Sequence, residues 1–231
     1  MYPRRIWQAP LTRAELIRAA VLCVLYFFLF PLAMAWVQVA AGAELPVAET
    51  SVVYYLIAVL LVLLLFWSFL RRDFSTLLDR LPENLAAFAS GLVGWVVLDV
   101  LIRRIPLPVS DPSELSYRVE YQLSPTATLV IVVVLMPVVE EMLFRGFFYG
   151  GLRRSSRVLA WVASVIPFAV YSVWQFTFSY GVVDLRYLLL AVRYLPSGLA
   201  LTWCYDRGGS VWAAIFLHMA INALTLLRIL S

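Results

Sequence analysis

Seven stretches of this chain are each long and apolar enough to cross a lipid bilayer, and together they use most of its 231 residues. A helix needs about 20 apolar residues to span the hydrocarbon core. The stretches run over about 16–40, 51–70, 86–102, 126–144, 157–177, 186–205 and 209–229. In lipid each backbone N–H and C=O must be satisfied by protein, which leaves helices and closed barrels as the spanning structures, and runs of this length fit helices. The expected fold class is all-α: a polytopic membrane helical bundle of about seven transmembrane helices, in one domain over 1–231. Composition points the same way. Only 14% of residues are charged and 63% are hydrophobic, against roughly 25% charged in a soluble domain. So few polar side chains cannot cover a surface in water, so the lipid bilayer is the chain's first partner.

The first stretch follows Arg4 and Arg5 like a signal peptide, but its apolar run is too long for a secretory h-region. It reads as an anchor. All 18 basic residues are arginine. With the N-terminus in the cytoplasm, Arg4, Arg5, Arg13, Arg18, Arg71, Arg72, Arg80, Arg145, Arg153, Arg154, Arg157 and Arg207 fall inside. Arg103, Arg104, Arg118, Arg186 and Arg228 fall outside, so the positive-inside rule supports this orientation. An arginine-only, tryptophan-rich chain suggests a GC-rich bacterium, hence a bacterial inner membrane. Phe74, Leu77, Leu78 and Leu81 recur at helical spacing among charges, which predicts an interfacial helix over 71–85, completing an N-terminal unit of three spans over 1–125. A net charge of +4 without a basic run argues against nucleic acid as a partner. Two cysteines in apolar stretches, Cys23 and Cys204, suggest neither disulfides nor a zinc site. Oligomeric state is left open.

Charges at membrane depth are expensive, so each is a functional candidate. They are Asp99, Glu140, Glu141, Arg145, Arg193 and His218, with Asn222 as a polar companion. Glu141 and Arg145 are four apart and share a helix face, which favours an ion pair. Glu140 points about 100° away from Glu141, since an α-helix has 3.6 residues per turn, and stays freer to act as a general base on water. The plainer reading, two acids in interfacial salt bridges, has about equal weight on spacing alone. His218 and Asn222 are also four apart; they could bind an oxyanion or simply bond neighbouring helices together. Asp99 and Arg193 are a candidate interhelical pair.

Glu140-Glu141-Met-Leu-Phe-Arg145 resembles the Glu-Glu-x-x-x-Arg motif of the CAAX protease and bacteriocin-processing family, which includes the type II CAAX prenyl endopeptidases. His218-Met-Ala-Ile-Asn222 is similar to that family's final His-x-x-x-Asn motif. The resemblance covers about 126–225, as a family-like catalytic core. It implies a glutamic intramembrane protease whose catalytic set is Glu140, Glu141, Arg145, His218, Asn222 and Gln175, with Phe144, Tyr171 and Ser172 toward the substrate. The family's middle motif, Phe-x-x-x-His, has no histidine here. Phe168-Ala-Val-Tyr-Ser172 would put serine in its place, and Tyr171-Ser-Val-Trp-Gln175 would put Gln175 there.

The function so implied is metal-independent cleavage of a membrane-associated protein or peptide, with no cofactor. One histidine and no His-Glu-x-x-His disfavour zinc chemistry. The alternative is a non-catalytic relative that binds a peptide or lipid-linked partner in an immunity, chaperone or scaffold role; the missing histidine speaks for it. A transporter is a third reading, weakened by the absence of an inverted repeat.

Overall fold

The computed structural model describes residues 11–29, 31–33, 36, 47–178 and 183–231. Arg4, Arg5 and most of the latter part of the expected first span lie outside the described residues, which are mostly helical and contain no strand. The helices are α1 (Arg13–Val24, continued by a wide turn over Leu25–Leu29), α2 (Val47–Asp79), α3 (Leu81–Arg103), α4 (Pro112–Leu123), α5 (Pro125–Leu152), α6 (Arg157–Tyr171), α7 (Trp174–Thr177), α8 (Ala191–Gly208) and α9 (Val211–Leu230). A tight 3₁₀ turn over Leu185–Leu190 leads into α8. Six of these stretches, on α1, α2, α3, α5, α8 and α9, are long and apolar enough to cross a membrane, and α6 is a shorter apolar helix. Their outer surface is apolar, with Leu64, Val158 and Leu227 exposed. A surface of this kind is stable in lipid, and the chain is an integral membrane protein.

Two expectations change in form. Residues 71–79 continue α2, and Pro82 sits in the first turn of α3, so the amphipathic stretch 71–85 is a corner at Arg80. The expected fifth span breaks after Tyr171, where Val173 leaves helical geometry (φ −128°, ψ −12°), and α7 follows separately.

The helices alternate in direction, which sorts the polar side chains onto two ends of the bundle. At one end lie the start of α1, the ends of α2, α5 and α8, and the starts of α3, α6 and α9. Here Arg72 bonds both oxygens of Glu15 at 3.1 Å. Asp206 takes Tyr149, Arg153 and Arg157 together. Asp73 accepts from Ser210 Oγ at 2.6 Å and from the Val211 N–H at 2.8 Å, so a carboxylate of α2 caps the start of α9. At the other end, Asp99 of α3 accepts from Arg103 at 2.8 Å and from Arg228 of α9 at 2.7 Å. The expected partner of Asp99, Arg193, is therefore replaced. Arg228 reaches Asp99 from the facing end of α9, and Arg103 is one helical turn away on the same face.

Gly91 lets α3 sit against α8 and α9 at once. A Cβ there would meet Leu217 Cδ2 at 2.8 Å and the Ala200 carbonyl at 3.3 Å. Gly209 makes the turn from α8 to α9 at φ +90°, a left-handed conformation that glycine adopts without strain.

Candidate functional site

Helix α5 is not wound uniformly. Wide i→i+5 turns occupy Val130–Leu135 and Met142–Tyr149, and between them a short α-helical piece, Met136–Glu141, carries both glutamates. Pro137 supplies a cause for the first wide turn. It has no N–H to donate, and its ring collides with the carbonyl four residues back in a regular helix. Counting along α5, both glutamates sit near mid-depth, about 20 Å from Pro125. Wide turns of this kind often mark functional sites, because they re-aim side chains.

The pair divides in the way the spacing predicts. Glu141 and Arg145 are fully buried, and Arg145 Nη1 donates to Glu141 Oε1 at 2.8 Å. Arg145 Nη2 donates to the Gly198 carbonyl of α8 at 3.1 Å, and the guanidinium lies 4.6 Å over the Phe168 ring of α6. The same Glu141 oxygen meets His218 Nδ1 of α9 at 2.7 Å. Four helices are thereby joined around one carboxylate. With Glu141 ionised, Nδ1 carries the proton and donates it, which fixes the ring and turns Nε2 outward. Nε2 then faces Glu140 Oε2 at 3.9 Å, too far for a direct hydrogen bond. Glu140 is 6% exposed and His218 3%. The site is thus nearly closed.

Asn222 has a different task from its neighbour. Its Nδ2 donates to the Val132 carbonyl of α5 at 2.8 Å. In the first wide turn the Met136 N–H goes to Ile131, and the next donor in that pattern for Val132 is Pro137, which has none. Asn222 satisfies the carbonyl that the proline leaves over. This locks the register of α9 on α5, with His218 one turn away opposite the glutamates.

The two candidates for the missing histidine do not meet equal conditions. Ser172 Oγ donates back to the Phe168 carbonyl at 2.9 Å and is held on its own helix. Gln175 lies beyond the break, exposed on α7. Phe144 is fully buried and packs edge-on to Phe168, with ring centroids 5.3 Å apart, and against Phe27 and Tyr171. It forms a closed wall.

Tyr171 is better placed. Together with Tyr26, Tyr54 and Tyr55 it stands within electrostatic reach of Glu140. Ring contacts at 5.6 Å (Tyr26–Tyr171), 6.2 Å (Tyr26–Tyr54) and 4.8 Å (Tyr54–Tyr55) tie these into one cluster. Three of the four come from the first two spans, which carry no motif, so motif reading does not find them. The signal in sequence is faint: four tyrosines in apolar helices, each with a hydroxyl that needs a polar neighbour.

Residues 122–224 match a family model, "Rce1-like: Type II CAAX prenyl endopeptidase Rce1-like". This segment is similar to that family. It runs from the end of α4 through α9 as far as Leu224, and so contains the glutamate pair, Arg145, His218 and Asn222. The match agrees with the resemblance carried by the two motifs. No curated protein and no solved structure matches the chain.

Proposed function

We propose that the Rce1-like segment makes this chain a metal-independent intramembrane endopeptidase, in which Glu140 activates water to cut a membrane-associated protein or peptide. One observation carries the reading: the division of the pair, with Glu141 committed to Arg145 and His218 while Glu140 faces His218 Nε2 across 3.9 Å. A gap of that size between two polar groups invites a shared water. Glu140 takes a proton from that water, and the oxygen attacks the scissile carbonyl. His218, with Nδ1–H held by Glu141, presents Nε2–H to the developing oxyanion when it carries its second proton. Glu140 then returns its proton to the leaving amine. Glu141, Arg145 and Asn222 are positioning residues. In this reading the arginine-rich end of the bundle faces the cytoplasm of a bacterial inner membrane.

Tyr171 orients the water in place of the absent histidine, since its hydroxyl both donates and accepts. Tyr171→Phe is expected to lower kcat about tenfold with little change in KM, the effect of one lost transition-state hydrogen bond. An unchanged kcat would remove Tyr171 from this role.

A second reading, a binding protein without cleavage, is favoured by the Ser172 hydroxyl being spent on Phe168. The purified chain in lipid vesicles, supplied with candidate membrane peptides, separates the two. Cleavage that persists with chelator and disappears in His218→Ala supports the endopeptidase. Cleavage that survives His218→Ala removes the oxyanion role. A peptide that is bound but never cut establishes the binding protein.

A further inference from the structure

Arg13, Arg72 and Arg154 lie far apart in sequence, yet they line one cavity of about 500 Å³. Arg13 opens α1, Arg72 stands in the last turns of α2, and Arg154 follows the end of α5. Each belongs to a membrane-spanning stretch or its flank, and all three ends meet on the arginine-rich side of the bundle. The cavity therefore lies at the depth of a membrane–water boundary. Glu15 holds Arg72 through both of its oxygens at 3.1 Å. Among the described residues, neither Arg13 nor Arg154 has an ion-pair partner. The wall thus has cationic groups beyond those its nearest acid neutralises. Leu11 and Leu16 supply an apolar side, and Gly151 leaves the space open; a Cβ there would stand 3.4 Å from Leu16 Cδ2.

We propose that this cavity binds the phosphate of an anionic glycerophospholipid headgroup. Guanidinium forks match phosphate oxygens in pairs, and charge-assisted bonds of this kind are the strong ones. The apolar side suits the glycerol and first methylenes of a lipid, which a free phosphate ion would leave bare. Anionic lipid also concentrates near clustered arginines at the inner surface of a membrane. This site is separate from the glutamates, and the proposal is independent of whether the chain cleaves anything.

The test titrates the purified full chain in detergent with phosphatidylglycerol, counting retained lipid by native mass spectrometry. Phosphatidylcholine with the same acyl chains and inorganic phosphate form the other two arms. Phosphatidylglycerol is expected to be retained over phosphatidylcholine. The Arg13→Gln/Arg154→Gln variant should lower its affinity about tenfold or more, the effect of losing charge-assisted hydrogen bonds. Gly151→Leu keeps every arginine, fills the space and should weaken retention as well; it decides the matter if the arginine variant fails to fold. Equal retention of the two lipids overturns the proposal. So does wild-type retention in the variants that fold. Displacement of the lipid by inorganic phosphate at equal concentration would reassign the cavity to a soluble anion.

Discussion

Replacing Glu140 by glutamine is expected to lower peptide cleavage by about 10²–10⁴-fold, the usual contribution of a positioned general base. The substitution keeps the size and hydrogen-bonding reach of the side chain and removes only its ability to take a proton. Because Arg145 pairs with Glu141, and Glu140 only faces His218 Nε2 across 3.9 Å, the fold has little to lose. The loss should therefore fall on kcat, with peptide binding and thermal midpoint close to wild type. Full cleavage by Glu140→Gln would refute the glutamate mechanism. A variant that neither cuts nor binds would show Glu140 to be part of the substrate cavity instead.

Glu141 predicts the opposite pattern. Cutting it back to alanine leaves a fully buried guanidinium without its counter-charge and frees the His218 ring. Breaking a buried ion pair from one side costs about 3–5 kcal/mol. Glu141→Ala should thus lose both stability and cleavage, read as a fall in the unfolding midpoint in bicelles beside the activity assay. Arg145→Ala should do the same, since it also abandons the Gly198 carbonyl and the face of Phe168. The double variant Glu141→Leu/Arg145→Met removes both charges and should recover most of the stability but none of the cleavage. If Glu141→Ala unfolds no more easily than Glu140→Gln, the split between a structural and a chemical acid is wrong.

Helix positions were readable in this chain because lipid allows so few alternatives. Long apolar runs have one solution in a bilayer, and the spans came out close to where hydropathy puts them. The Glu141–Arg145 pair was readable for a similar reason, since four-residue spacing acts within one helix. What sequence does not encode locally is which helix lies opposite. Asp99 finds Arg228 because α3 and α9 end on the same side, a fact of topology that no spacing rule contains. Asn222, open in sequence to an oxyanion role or to a bond between helices, makes the second kind of contact with the Val132 carbonyl, and the group it serves is one that Pro137 leaves without a donor. The break at Val173 was hidden by an apolar run that continues across it. It moves Gln175 onto α7 and leaves Tyr171 as the last residue of α6, within electrostatic reach of Glu140.

The imidazole at the centre of the site rides on α9, and α9 is latched at its start by Asp73 and near its end by Asp99. Neither acid lies within residues 122–224. The gap between His218 and Glu140 thus depends, beside the Asn222 and Glu141 bonds, on two side chains from spans that carry no motif of their own. Changes at either latch would slide the imidazole along the membrane normal and detune the site without altering any residue in it. The candidate site and the two latches at the ends of its last helix occupy different halves of one chain.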